Sequence, residues 1–193
     1  IHPVAHGTVV GTDPAVGGVL PTDARRPYRR AVCDAIQRAA PDTDTRAFVE
    51  SDADLVVLLG RPRPVPPTLF GHVLRTVRHL TVWVRDGTVV IGPLVRPGHS
   101  ACLHCVELNR QDRDTHWPVL SAQLATMPAP PEPAESVLVA MGAALVAGQI
   151  LTELDGGEPQ ALDGTLEVEP PGIVRRRSWQ PHPRCGCVRR RRR

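Results

Sequence analysis

Four of the five cysteines lie in two close pairs that are far apart in the chain. Cys102 and Cys105 form a C-x-x-C pair in SACLHC, and Cys185 and Cys187 form a C-x-C pair in PHPRCGC. A C-x-x-C pair directs both sulphurs toward one point, and four thiolates at about 2.3 Å close a tetrahedral zinc site with no open position. The pairs therefore predict a structural zinc site, with all four cysteines as ligands, that joins the middle of the chain to its end.

Three other chemistries compete for these cysteines. Disulfides are disfavoured, because the chain shows no signal peptide and thiols stay reduced in the cytoplasm, where we expect the protein. A redox C-x-x-C pair needs a thioredoxin-like strand and helix around it, which the preceding VRPGHSA does not offer. A nucleophilic cysteine needs a histidine base, and His99, His104 and His182 keep that alternative open. His104 and His182 are also alternative metal ligands.

Other residues near the pairs have simpler interpretations. Cys33 lies on the apolar side of a predicted helix and is expected to be an inert core residue. Arg184 and Arg189 flank the second pair and would offset part of the negative charge of a four-thiolate site.

The basic charge is concentrated in the tail. The formal net charge is +3, and residues 189–193 alone supply five arginines, so the rest of the chain is slightly acidic. We expect this tail to be disordered and nucleic-acid binding to be disfavoured, with binding through the tail as the alternative. No apolar run reaches the ~18 residues of a membrane span, so no membrane association is expected.

The hydrophobic pattern predicts an α/β fold. Helical periodicity covers residues 25–40, 68–80, 103–114 and an Ala-rich stretch that begins after Ser136 and ends at Gly156. Strands are predicted at residues 7–12, 45–49, 54–60, 165–169 and 172–179, and that at 54–60 is apolar enough to be buried on both faces. Asp86-Gly87 between two β-branched runs predicts a hairpin over residues 81–92.

The order of these motifs resembles the ThiF/MoeB-type, ubiquitin-activating-like superfamily. The resemblance rests on RDGTVVIGPLVRPGHSACLHC, NRQDRDTHWPVLSAQL and the closing HPRCGC. It implies a Rossmann-like mixed sheet over residues 1–188 as one domain, with a zinc knuckle of four cysteines. More narrowly, the chain resembles actinobacterial ThiF-like cyclodehydratase and leader-peptide-binding proteins of thiazole/oxazole-modified peptide biosynthesis.

One departure from the superfamily concerns the nucleotide loop. Adenylating members place G-x-G-x-x-G after the first strand, where backbone N–H groups receive phosphate. Here Asp13 replaces the second glycine of that loop, and Pro14 removes a donor. Glu50 and Asp52 are candidates for the ribose-binding acid. The chain also contains no lysine, so the catalytic lysine of adenylating relatives has no counterpart. We therefore expect no ATP binding and no adenylation.

The resemblance also implies partners. It predicts a non-catalytic scaffold that works with a YcaO-type, ATP-dependent cyclodehydratase and a precursor peptide. It also implies that this protein can form homodimers. Such proteins usually carry an N-terminal leader-recognition domain, and no such domain is visible in this sequence. The alternative function is an active ThiF/MoeB-type adenylyltransferase acting on a peptide or sulfur-carrier C-terminus.

The polar run after the first cysteine pair has two interpretations. Arg110, Asp112, Arg113 and Asp114 either form a binding surface with Trp117 as an anchor, or pair with one another while Trp117 packs on the core. Trp83 is expected in the core, although a strand edge near it offers a place for strand addition.

Overall fold

The protein is described by a computed structural model, which covers residues 1–11, 18–47, 49, 52–60, 73–126 and 133–187. The chain forms two compact units, Ile1–Asp52 and Ala53–Arg193. The prediction of one domain over residues 1–188 stays a prediction, because compactness alone does not test whether the two units fold together. The predicted disordered tail, residues 189–193, lies outside the described residues.

The first unit contains one long helix, α1 (Tyr28–Ala39). It confirms the helix predicted over residues 25–40, with its start set by Pro27, which precedes the first helical residue. The buried side of α1 contributes Ala31 to a small core with Val9 and Val19. Cys33 is only half-buried, so it is not the enclosed core residue that was expected.

The two strands predicted in the first unit do not form in its described part. Thr8 makes a single isolated bridge with Pro27, and the backbone of Val9 bonds to the turn at Arg25 and Arg26. Residues 45–47 and 49 form no regular structure. Residues 12 and 48 lie outside the described residues.

The second unit is built on a mixed sheet of five strands whose spatial order is their chain order. The strands are β1 (Val56–Leu59), β2 (His79–Arg85), β3 (Thr88–Val95), β4 (Gly164–Glu169) and β5 (Ile173–Ser178). Strands β1 and β2 are parallel, and every later pair is antiparallel. The sheet confirms the predicted mixed α/β class. The β2–β3 hairpin turns at Asp86 and Gly87, both with positive φ, as the Asp-Gly pair predicts.

Four helices accompany the sheet in the described part of this unit. They are α2 (Val73–Thr76), α3 (Leu103–Arg113), α4 (Trp117–Thr126) and α5 (Ser136–Leu154). Helices α3 and α5 confirm the predictions, although Glu135 rather than Ser136 is the N-cap of α5. The helix predicted over 68–80 is wrong at its end, because β2 already begins at His79. Residues 68–72 lie outside the described residues.

The core of the second unit lies between α5 and one face of the sheet. It includes Leu80, Ile91, Leu94, Leu138, Leu166 and Val168. Gly142 lets α5 approach the sheet, because a Cβ built there would lie 2.7 Å from Val89 Cγ1. Strand β1 stays at the margin of this core, with Leu59 79% exposed, so the prediction that it is buried on both faces is wrong.

Polar residues of α5 are directed into the protein and paired there. Glu153 is 1% exposed, and its carboxylate accepts hydrogen bonds from Arg96, the shortest at 2.8 Å. Gln149 accepts the N–H of Ala161 at 2.8 Å. By length and composition alone, α5 is nevertheless long and apolar enough to cross a membrane. The expectation that no segment reaches this length is therefore corrected.

Candidate metal centre

The four predicted cysteines come together between the start of α3 and the turn at residues 183–187. Cys102 ends an extended segment as the N-cap of α3, and Cys105 lies in the first helical turn. Residues three apart at a helix start lie on one side, which directs both sulphurs the same way. On the other segment, Gly186 has φ +66, so the chain turns sharply between Cys185 and Cys187.

The distances between sulphurs fit one metal ion. Cys102 Sγ lies 3.8 Å from Cys105 Sγ and 3.4 Å from Cys185 Sγ, and Cys105 Sγ lies 3.2 Å from Cys187 Sγ. All four sulphurs are within 4.8 Å of one another. A tetrahedron with metal–sulphur bonds of about 2.3 Å requires sulphurs about 3.8 Å apart. All five cysteines are free, so the disulfide alternative is not supported.

The cluster is set in an apolar pocket of its own. Cys105 is fully buried and packs with Ala101, Val106 and Trp179. The backbone N–H of His182 donates to Cys105 Sγ at 3.3 Å. Backbone donors directed at a sulphur stabilise its thiolate form, as is usual around metal-bound cysteines.

Burial and hydrogen bonding act on the thiols in opposite directions. Burial raises the pKa of Cys187 to about 11 and raises the pKa of Cys185 further, and the neighbouring thiols add to both shifts. At Cys105, burial also acts to raise the pKa, but hydrogen bonds led by the His182 N–H outweigh it and lower the pKa. Four thiolates so close together repel one another, so a bound cation is the natural way to hold all four deprotonated.

The C-terminal segment is also fixed by an ion pair beside the cluster. His182 Nε2 lies 2.7 Å from Asp112 Oδ2, and Nδ1 accepts the N–H of Arg184. The Arg184 guanidinium bonds to the other oxygen of Asp112. The His182 hydrogen bond, together with Arg184, holds the pKa of Asp112 below its usual range. Arg184 therefore pairs with Asp112, whereas it was expected to offset part of the charge of a four-thiolate site.

The histidine alternatives find no support in this geometry. The described His, Cys, Asp and Glu residues that could share one metal ion at this place are the four cysteines. The His182 ring is bonded to Asp112, His99 Nδ1 lies 3.0 Å from the carbonyl of Pro97, and His104 is exposed. The structure therefore shows none of these three rings as a base for a cysteine or as a metal ligand.

The polar run of α3 matches neither interpretation fully. Arg110 pairs with Glu107 at 2.9 Å, and the Trp117 indole donates to the same carboxylate at 2.7 Å. Asp114 accepts the N–H of His116. The run is thus paired, but with residues outside it, and Trp117 is half-buried at the start of α4.

The sequence interpretation missed the tryptophan and arginine cluster around these residues. Arg110 lies 5.1 Å from the Trp117 ring and 5.6 Å from the Trp179 ring, and Arg113 lies 5.4 Å from the Trp179 ring. No sequence spacing links Trp179 to α3. The one signal in the sequence was the two cysteine pairs, which predict that the start of α3 lies near the segment that follows Trp179. Trp83 is buried as predicted. Strand β1 pairs with β2 only as far as Val82, so strand addition near Trp83 stays a prediction.

The predicted nucleotide loop is not tested by the geometry. Asp13, Pro14 and Glu50 lie outside the described residues. Asp52, the other candidate for the ribose-binding acid, lies at the end of the first unit, with its N–H bonded to the carbonyl of Val49 at 2.9 Å.

No protein-family model and no curated protein matches the chain. Solved structures with the same fold include E. coli MccB with ATP, at a TM-score of 0.67 and 14% identity, covering 96% of this chain and 57% of MccB. MccB with succinimide gives a TM-score of 0.60 at 15% identity, covering 88% and 52%. PaaA gives 0.52 at 12% identity, covering 81% and 56%.

MccB is the microcin C7 biosynthetic enzyme, and one of its structures holds N-formylated MccA. This chain spans about half the length of MccB. At these identities the similarity is one of fold. The protein therefore has the fold of about half of MccB, with four cysteines gathered into a candidate metal site.

Proposed function

We propose that this protein is a zinc-stabilised, ThiF-like scaffold that acts in the cytoplasm in the maturation of ribosomally made peptides. In this proposal it does not adenylate. It presents a precursor peptide to a YcaO-type cyclodehydratase, which consumes the ATP. The observation that carries the proposal is a fold shared with a microcin C7 biosynthetic enzyme in a sequence with no lysine.

Zinc is the metal that this donor set suits best. Four thiolates are soft ligands, and a closed tetrahedral arrangement is typical of structural zinc. The residues Cys102, Cys105, Cys185 and Cys187 would hold the ion, and would leave it no position for water or substrate. Its contribution is therefore to hold the C-terminal segment against α3, not to catalyse a reaction.

The absence of adenylation rests on the sequence. Phosphate binding at a glycine-rich loop depends on free backbone N–H groups and on room for the phosphates. Asp13 brings a negative charge to that position, and Pro14 has no N–H. Adenylating relatives also use a catalytic lysine, and this chain contains no lysine.

A second candidate function is ATP-dependent adenylation of a peptide. One observation favours it: the similarity to MccB in its ATP-bound structure extends over 96% of this chain. An arginine could then replace the lysine at the phosphates, since guanidinium groups bind phosphate well.

Pyrophosphate exchange separates the two functions. The purified protein, with its zinc content measured, is incubated with ATP, labelled pyrophosphate and a candidate precursor peptide. We expect no more exchange than with heat-denatured protein. Exchange that depends on the peptide would overturn the scaffold and establish adenylation.

Reconstitution tests the scaffold directly. A YcaO-type cyclodehydratase and its precursor are assayed by mass spectrometry for loss of water, with and without this protein. We expect azoline formation to increase when the protein is added. The Cys105→Ser variant should lose this effect, and Cys33→Ser, which changes a cysteine outside the cluster, should keep it. Equal azoline formation with and without the protein would contradict a scaffold role with that enzyme.

A further inference from the structure

Strand β5 forms one edge of the sheet, with no strand beyond it in the part of the chain that the structure describes. It pairs with β4 along its whole length, and all six of its residues are exposed. The outer N–H and C=O groups of an edge strand are a template for a further strand. Strand β1, at the opposite edge, has only four residues.

Three consecutive arginines occupy the middle of β5. Successive side chains point to opposite faces, so Arg175 and Arg177 share one face and Arg176 lies on the other. Arg176 is already engaged, with Nε 2.8 Å from the carbonyl of Gln160 and a terminal nitrogen 3.1 Å from the carbonyl of Leu162. The guanidinium groups available at this edge are therefore those of Arg175 and Arg177.

The ion pairs of these two arginines leave them partly open. Arg175 Nε lies 3.0 Å from Glu169, with 66% of the arginine side chain exposed. Arg177 Nε lies 3.4 Å from Glu167, with 50% exposed. A guanidinium has five N–H donors, and each of these contacts uses Nε. The terminal nitrogens can bind a second carboxylate.

The same face of the sheet carries an excess of positive charge. Arg85 of β2 also lies 3.5 Å from Glu167, so three strand arginines share two strand glutamates. Next to β5, the Trp179 ring is flanked by Arg110, which is paired with Glu107, and by Arg113. A negatively charged segment beside β5 would therefore be attracted by the whole face.

The charges also disfavour two other strands as partners for the edge of β5. If β5 of a second copy added in antiparallel order, arginines would face arginines, and like charges opposite each other destabilise a strand pair. Charged side chains on an edge likewise discourage neutral strands. An extended segment rich in glutamate or aspartate satisfies both the backbone and the charges.

We propose that β5 binds an acidic peptide in extended form, as a sixth strand of the sheet. The proposal goes beyond the scaffold function and rests on β5 and the charges beside it, so its failure would leave the zinc site and the scaffold function untouched.

A labelled peptide of alternating glutamate and valine tests the proposal by fluorescence anisotropy at low ionic strength. Two further peptides are compared with it: one in which lysine replaces glutamate, and one with N-methylated backbone nitrogens, which keeps the charge but lacks backbone donors. We expect the acidic peptide to bind at least about tenfold more tightly than either, because binding needs both the charge and the backbone. Equal binding of the methylated peptide would overturn strand addition.

The variant Arg175→Glu/Arg177→Glu should bind the acidic peptide at least about tenfold more weakly than the wild type does, and should bind the lysine peptide more tightly. Arg46→Glu reverses an exposed, ion-paired arginine in the first unit and should leave binding unchanged. Zinc content reports whether the double variant is folded. If it is not, Arg175→Gln/Arg177→Gln replaces it, with a weaker loss expected. Unchanged binding in the folded variant would refute the role of these arginines.

Discussion

Among single residues, Cys105 is the most enclosed part of the candidate metal site. Its sulphur is fully buried and lies 3.2 Å from that of Cys187. Cys105→Ser replaces a thiolate by a hydroxyl, which is a poor zinc ligand, so we expect bound zinc to fall from about one ion per chain to nearly none. With free zinc at about 1,000 times its dissociation constant, the lost ion represents about 4 kcal/mol of stability.

Elemental analysis of the purified variant measures the zinc, and urea unfolding measures the stability. Cys33→Ser is the matched control, because Cys33 lies outside the cluster. A Cys105→Ser protein that retains a full complement of zinc would contradict the assignment of this residue as a ligand.

We expect the buried carboxylate of Asp23 to make the first unit sensitive to acid. Asp23 is 3% exposed, accepts the N–H of Leu20 at 2.9 Å and pairs with Arg26. The Leu20 hydrogen bond, with Arg26, outweighs burial and lowers the pKa of Asp23 from its usual value. Since the folded pKa is below the unfolded one, its contribution is complete above about pH 3.9 and is lost as the pH falls through the folded value.

Asp23→Asn should therefore destabilise the first unit at neutral pH and reduce its loss of stability as the pH falls below about 4. Amide hydrogen exchange in α1, followed against pH, measures both effects. Asp42→Asn, at an exposed position of the same unit, is the control. If the stability of the first unit depends on pH in the same way in the wild type and in the Asp23 variant, Asp23 is not the cause of the acid sensitivity.

Residue types and spacing predicted the cysteine cluster but not what surrounds it. Two close pairs are visible in the sequence because their spacing has a chemical meaning. The pairing of His182 with Asp112 joins residues seventy apart, and no local pattern signals it. The same holds for Trp179 under the arginines of α3.

At the scale of elements, the contact between α5 and β3 depends on a missing side chain. A Cβ at Gly142 would lie 2.7 Å from a methyl of Val89, which is itself buried. Gly142→Ala should add about 1 kcal/mol to the free energy of unfolding through helix propensity. The new methyl group also pushes α5 away from the sheet, which should cost about 1–3 kcal/mol. We expect a net loss of about 1 kcal/mol.

Gly148 in the same helix provides the matched control, because nothing lies within 4 Å of a Cβ built there. Gly148→Ala should stabilise the protein by about 0.5–1 kcal/mol through helix propensity alone. Urea unfolding midpoints of both variants measure the difference. Shifts in the same direction would contradict the close approach at Gly142.

Elements with a strong local signal were predicted correctly. The Asp86-Gly87 turn can only be formed easily by residues that tolerate positive φ, so the β2–β3 hairpin was visible in the sequence. The apolar run at residues 7–12 carries no such signal, and in the described part of the first unit Val9 is buried without forming a strand. Helix α4 was missed, although Pro118 in its first turn is a typical start signal.

At the scale of the whole second unit, the four-cysteine cluster brings together segments that are distant in the chain. The sheet core includes residues from β2, β3, β4 and α5, whereas the cysteines form a separate cluster with Trp179. Cys102 and Cys105 are separated from Cys185 and Cys187 by about eighty residues, so a bound ion would close a long loop. The sequence shows that the pairs can meet, but not that they form a core of their own.

Removal of the metal should therefore destabilise the cysteine cluster and leave the sheet core intact. With a strong chelator, we expect the amides of α3 and of residues 179–187 to exchange with solvent much faster, because the small apolar cluster around Cys105 is too small to hold them alone. Amides of β2 and β3 should keep their protection, since Leu80, Ile91 and Leu94 belong to the sheet core. Hydrogen exchange with mass spectrometry resolves these segments, and the Cys33→Ser protein should respond as the wild type does. Unchanged protection of residues 179–187 after the metal is removed would mean that packing on Trp179 and the Asp112–His182 pair, rather than an ion, hold the end of the chain.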